Sequence, residues 1–167
     1  MAQGRARTSE FGLFDPKCST NVRLSFDSHL QITVVQTTPE GTLSALRLGS
    51  KLAKGLGVRI RLVATQIVPF RLPLEKPMIS ADFLRRRQQR LVAEADIDDE
   101  SVVSEILLCR NAKRTIREYL SPWSLVLVGG KHNYWNSGYR LSKWLERIGH
   151  QVIFADGNRS GIGKRPV

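Results

Sequence analysis

Ser124-Leu125-Val126-Leu127-Val128-Gly129-Gly130 reads as the most deeply buried strand of the chain. A short apolar run with no polar alternation is what a strand covered on both faces requires, and such strands belong to parallel sheets flanked by helices. The run ends in two glycines and a polar loop, Lys131 to Ser137. Beyond the loop, Leu141, Trp144, Leu145 and Ile148 recur at i, i+3, i+4 and i+7, which predicts a helix with Lys143, Glu146 and Arg147 off its stripe. Ser137-Gly138 is expected to cap it, and a last strand follows at Gln151 to Ala155. On the other side of the run, Asn111 is placed to cap a short helix carrying Ala112, Ile116, Tyr119 and Leu120 on one face, closed by Pro122.

The same alternation extends upstream. Leu30 to Val35 is a strand that stops at Gln36-Thr37-Thr38-Pro39, where proline ends the extended run and Thr38 can cap a helix. Ala45, Leu48, Leu52 and Leu56 then fall at helical spacing, with Gly55 and Gly57 as the stop. Arg59 to Val68 is the second strand, Pro69, Pro73 and Pro77 mark a loop, and Ala81 to Ala95 is a basic helix with Phe83, Leu84, Leu91 and Val92 as its stripe. Val102 to Leu108 is the third strand. Five strands alternating with four helices require right-handed crossovers, so the fold class is α/β, a three-layer sandwich with a parallel sheet. Residues 1–29 read as an N-terminal tail with room for one edge strand at Val22 to Phe26, residues 30–156 as the domain, and residues 157–167 as a basic, Gly-rich tail.

At 167 residues, 41% hydrophobic and 25% charged, the chain has ordinary globular composition, which excludes a collagen-like or wholly disordered chain. Its apolar runs are far shorter than the roughly 18 residues of a membrane span, so no membrane insertion is expected. Arg5 and Arg7 are not followed by an apolar stretch, and the cytoplasm is the expected address. Cys18 and Cys109 make neither a disulfide framework nor a metal cluster, and Cys109 reads as a small buried hydrophobe. Lys and Arg number 26 against 15 acids, a net +11. The excess is spread over several segments, with an acidic run from Glu94 to Glu100, so solvated helix faces account for it better than one focused polyanion surface. His29, His132 and His150 lie on separate segments without metal-ligand spacing, and no nucleophile elbow, P-loop or CxxC is present. Non-catalytic function is the expectation. Trp123 and Trp144 read as core or interface anchors.

In an open parallel sheet the ligand crevice lies beyond the carboxyl ends of the strands, where strand order reverses. Here Gln36-Thr37-Thr38 and Gly129-Gly130 stand at two such ends, and the helix beginning near Gly138-Tyr139 could hold an anion with Lys131 and Arg140 nearby. Glycines that merely turn the chain are the alternative. Over about Leu30 to Asp156 the sequence resembles the universal stress protein family. The resemblance rests on Ser44-Ala45-Leu46, Lys51-Leu52-Ala53, Gly57-Val58, Arg61 to Thr65, an Arg-rich middle, Leu127-Val128-Gly129-Gly130 and Gln151 to Phe154. It implies an adenine-nucleotide alpha-hydrolase-like sheet in strand order 3-2-1-4-5, an adenine-binding role near Gln36, Thr37 and Thr65, and a phosphate loop through Gly129, Gly130, Gly138 and Tyr139.

The sequence departs from the family's nucleotide-binding pattern. No acid closes the first strand, His132 stands where a glycine would, Tyr139 replaces a small hydroxyl residue, and only eight residues separate Gly129 from Gly138. A shorter loop offers fewer backbone N–H groups to an anion. ATP or another adenine nucleotide is therefore expected to bind weakly or not at all, with no cofactor required. The resemblance further implies a stress-response binding module that forms a homodimer through the last strand, since Gln151 to Phe154 would be an apolar edge. Two alternatives remain at this point: a basic nucleic-acid-binding protein, and a cytosolic domain associated with a membrane transporter.

Overall fold

The structure, a computed structural model, describes residues 31–74, 77–133 and 135–156. The tails at residues 1–29 and 157–167, the edge strand expected at 22–26, and Cys18 lie outside the described residues. Strand β1 (Ile32–Val35), helix α1 (Pro39–Leu56), β2 (Ile60–Ile67), α2 (Ala81–Glu94), β3 (Val102–Cys109), α3 (Ala112–Tyr119), β4 (Leu125–Gly130), α4 (Ser137–Arg147) and β5 (Gln151–Asp156) follow in chain order. The strands form one sheet in the order β3-β2-β1-β4-β5. Every described pairing is parallel, with Val35 opposite Val63 on one side and Val128 on the other. The class and strand order expected from the sequence are therefore those observed.

Alternate residues of the central strands feed two cores. Ile32, Val34, Ile60, Leu62 and Leu127 pack with Ala45, Leu46 and Ala53 of α1 and Leu91 and Val92 of α2. Val35, Val126 and Val128 pack with Ile116 of α3 and Leu145 of α4, where Leu141, Trp144 and Ile148 complete the expected stripe as part-buried neighbours. The period-two alternation of a strand makes these the opposite faces of the sheet. Fully burying each of these large side chains contributes about 1.5–3 kcal/mol.

Helix α1 begins where the sequence says it should. The Thr38 hydroxyl accepts from the Gly41 amide at 3.2 Å, Pro39 fills the first turn without needing a donor, and Gly57 closes the helix at φ 65°. Three expectations are corrected. The cap of α4 is Asn136, whose Oδ1 accepts from the Gly138 amide at 2.8 Å, and not Ser137-Gly138. In α2, Phe83 is 53% exposed, while Gln88 is buried with Leu91 and Val92. Leu84, Gln88, Leu91 and Val92 are the i, i+4, i+7, i+8 set, and Phe83 falls beside it. Of the two places expected for Trp123, core or interface, the core is excluded: it is 78% exposed in the turn between α3 and β4.

Two glycines in α1 have opposite surroundings. A Cβ added at Gly41 would lie 2.5 Å from the Gly129 carbonyl oxygen, whereas one added at Gly55 would meet nothing within 4 Å. Gly41→Ala is expected to destabilise by about 1–3 kcal/mol or more through overpacking against backbone. Gly55→Ala is expected to stabilise by roughly 0.5–1 kcal/mol through helix propensity. Urea denaturation of both variants checks the contrast; equal effects would contradict it.

Candidate functional site

The carboxyl ends of β1 and β4 are tied together by side chain and backbone. Gln36 continues the β1 ladder by donating its amide to Val63 O at 2.8 Å. Thr37 then turns the chain: its amide donates to Thr42 Oγ1 at 3.1 Å and its own hydroxyl donates to Gly129 O at 2.6 Å. Thr42 is fully buried and its hydroxyl donates to Thr38 O at 2.8 Å, so the first turn of α1 is pinned to the strand it leaves.

Gly129 is the meeting point of three backbones. A Cβ there would stand 1.7 Å from Gly41 O, and a Cβ on Gly138 would stand 2.6 Å from Gly129 O. The first turns of α1 and α4 thus both seat on the end of β4. Gly130 is closed over by the Asn136 side chain, whose Oδ1 would lie 2.8 Å from an added Cβ. Gly41, Gly129 and Gly138 permit backbone to approach backbone, and Gly130 lets the Asn136 side chain close over the strand end.

Beside this knot, at the carboxyl ends of β1 and β2, lies a cleft of about 130 Å³. Its walls are Gln36 and Thr37 from β1's end, Ala64, Thr65 and Gln66 from β2, and Leu84 and Arg87 from α2. Gln36 Oε1 is buried and has no hydrogen-bond partner among the described residues, which leaves an acceptor available to a donor group. Arg87 supplies a cation at the rim. The lining includes no acid, histidine or thiol. A cleft of this size suits one flat ring: an apolar cavity of about 150 Å³ admits benzene, whereas drug-sized ligands fill roughly 300–1,000 Å³.

Of the residues the sequence singled out, Gln36, Thr37 and Thr65 meet in this cleft. Gly129, Gly130 and Gly138 gather next to it, joined through the Thr37 hydroxyl, but none lines it. Tyr139 lies apart. Its ring is 4.6 Å from His132 and stands edge-on to Phe154 of β5 at 5.8 Å, so the loop after β4 folds onto an aromatic cluster with His132 packed into it. Sequence reading missed Leu84 and Arg87. The signal for them is positional: Leu84 opens the inner face of α2, and Arg87 at i+3 borders it.

The loop that delivers α2 to the cleft is held by Arg110. Its guanidinium donates to Val68 O at 2.7 Å, to Pro69 O, and to Leu72 O at 2.6 Å, and it lies over the Phe70 ring at 5.3 Å. Arg110 therefore serves carbonyls and not the neighbouring thiol. Cys109 is fully buried, and burial pushes its thiol up from the usual range, partly offset by a hydrogen bond with Thr115. An inert packing thiol follows. Tyr119 donates its hydroxyl to Glu105, which also meets Arg61 at 3.5 Å; burial first, then the carboxylate, raises the phenol. Among the described residues no group of three or more His, Cys, Asp or Glu is arranged to hold a metal ion. Nor is any described helix long and apolar enough to cross a membrane.

No family model and no curated protein matches the chain. Among solved structures, it is similar to a universal stress protein from Archaeoglobus fulgidus, at 14% identity and TM-score 0.49, over 75% of this chain and 93% of that one. It is also similar to a universal stress protein in complex with cAMP, at 12% identity and TM-score 0.45, over 76% and 98%. The fold assignment stands on strand order and register.

Removing the Thr37 hydroxyl while keeping its shape isolates the tie between β1 and β4. Thr37→Val is expected to cost about 1–3 kcal/mol, because it leaves the Gly129 carbonyl without its donor. Chemical denaturation measures this, and a variant as stable as the parent would show that the tie contributes nothing.

Proposed function

We propose that the chain is a non-catalytic, cytoplasmic regulatory module of universal-stress-protein type, which takes a small planar ligand in the β1–β2 cleft and binds ATP weakly or not at all. The observation that carries this is the occupation of the glycines. Gly129 O already accepts from Thr37 and is flanked by Gly41 and Gly138, and Asn136 covers Gly130. A phosphate needs backbone N–H donors, and of these the Gly138 amide is already given to Asn136 Oδ1 at 2.8 Å. The neighbouring cleft keeps an open acceptor, Gln36 Oε1, and a cation, Arg87, which favours a ring bearing a donor edge and a modest anionic group.

Self-association through β5 belongs to the same reading. Strand β5 is an edge of the sheet, and Gln151 is exposed on it. Val152 and Phe154 pack on the core below β4, so the edge presents mainly backbone to a partner.

Thermal melting with adenosine, AMP and ATP at millimolar concentration tests the ligand reading. ATP is expected to shift the melting temperature no more than adenosine does. A micromolar ATP site would stabilise by about 4 kcal/mol at a thousandfold excess over Kd, and such a shift specific to the triphosphate would overturn the proposal. Gly138→Glu is unsuitable as a control, since any Cβ at Gly138 collides with the Gly129 carbonyl. Sedimentation velocity tests the assembly: a dimer is expected at high micromolar concentration, and a monomer there would refute the β5 interface.

A further inference from the structure

At the amino ends of β4 and β5, opposite the cleft, the turns after α3 and α4 enclose an open groove of about 430 Å³. Its floor is apolar, with Leu120, Pro122 and Ile148, and its walls are Trp123, Arg117 and Arg147. The indole of Trp123 is 78% exposed, and its backbone sits at φ 61°, in the left-handed region that a residue with a Cβ enters at a cost. The chain thus holds a large aromatic ring in the open on a strained turn.

The charge beside the ring is positive and available. Arg117 has Glu118 next to it and Arg147 has Glu146, yet Glu118 pairs with Arg114 at 2.8 Å and Glu146 pairs with Lys143 at 2.9 Å. Among the described residues no carboxylate lies within 4.0 Å of Arg117 or Arg147. Each arginine also complements a helix C-terminus, but two full charges against two termini of about half a charge each leave the groove net positive. His150 adds a polar edge: its Nδ1 is 3.0 Å from Ser124 Oγ.

We infer that this groove binds one nucleotide unit of a single-stranded nucleic acid, with the base stacked on Trp123 and the flanking phosphates on Arg117 and Arg147. Aromatic platforms accept any base through its π-face, and guanidinium groups match phosphate bidentately. A nucleotide unit carries both features that the groove offers partners to, a flat π-face and flanking phosphates. The net +11 of the chain is spread over several segments, so the attraction at this groove rests on Arg117 and Arg147 themselves. This site is separate from the β1–β2 cleft, and its test does not depend on what the cleft binds.

Fluorescence anisotropy of a short labelled oligo-dT at low salt provides the test. Trp123→Gly removes the ring and suits the left-handed backbone, so its melting temperature should equal or exceed that of the parent. Its affinity for oligo-dT is expected to fall roughly ten- to hundredfold, the scale of a lost base-stacking contact. Arg117→Gln with Arg147→Gln should weaken binding and reduce the slope of log K against log salt by about 1.4, at roughly 0.7 per phosphate contact on single strands. An abasic oligomer should bind the parent and Trp123→Gly alike. The inference is overturned if Trp123→Gly holds oligo-dT as tightly as the parent, if the abasic oligomer binds the parent as well as oligo-dT, or if free TMP competes on equal terms with the oligomer.

Discussion

The carbonyl of Gly129 is the point on which the upper end of this sheet closes. It accepts the Thr37 hydroxyl at 2.6 Å, and the first turns of α1 and α4 approach it so closely that neither Gly41 nor Gly138 has room for a Cβ. These helices cover opposite faces of the sheet. One peptide group therefore couples both outer layers to the middle one, and the loops that lead into them inherit their positions from it. Close packing of this kind transmits displacement, because interiors feel volume changes as small as one methylene.

The site follows from that constraint. In a parallel sheet the crevice at the switch between β1 and β4 is the expected place for a ligand. Here the Thr37 hydroxyl and the first turn of α1 meet the end of β4, and a cleft opens on the β1–β2 side, where α2 contributes Leu84 and Arg87. Arg110 gathers the carbonyls of Val68, Pro69 and Leu72, just after β2.

Most of the fold was legible because it is written in periods. The unbroken apolar run of β4, the apolar stretch of β1 broken only by Thr33, the Thr38-Pro39 start and the Gly57 stop of α1, and the i, i+3, i+4, i+7 stripe of α4 each point to one element by local physics. What escaped was set by approach between distant segments. Gly129 and Gly130 read equally as a phosphate cradle or a turn, since sequence does not reveal that Gly41 and Gly138 arrive at the same spot. Asn136 displaced Ser137 as cap because its longer side chain reaches the Gly138 amide and closes over Gly130 as well. Trp123 read as a core or interface anchor by its chemistry, and the turn after Pro122 leaves it exposed, which removes the core reading.

The central claim is that the glycines at the end of β4 join helices to the sheet, and the proposal built on it is that they do not hold phosphate. An amide chemical-shift titration of isotope-labelled protein with ATP tests it residue by residue. The account predicts that any shifts concentrate on Gln36, Thr37, Thr65 and Arg87, while Gly129, Gly130 and Gly138 stay fixed to saturation. Large, saturable shifts at Gly129, Gly130 and Gly138, absent when adenosine replaces ATP, would contradict it.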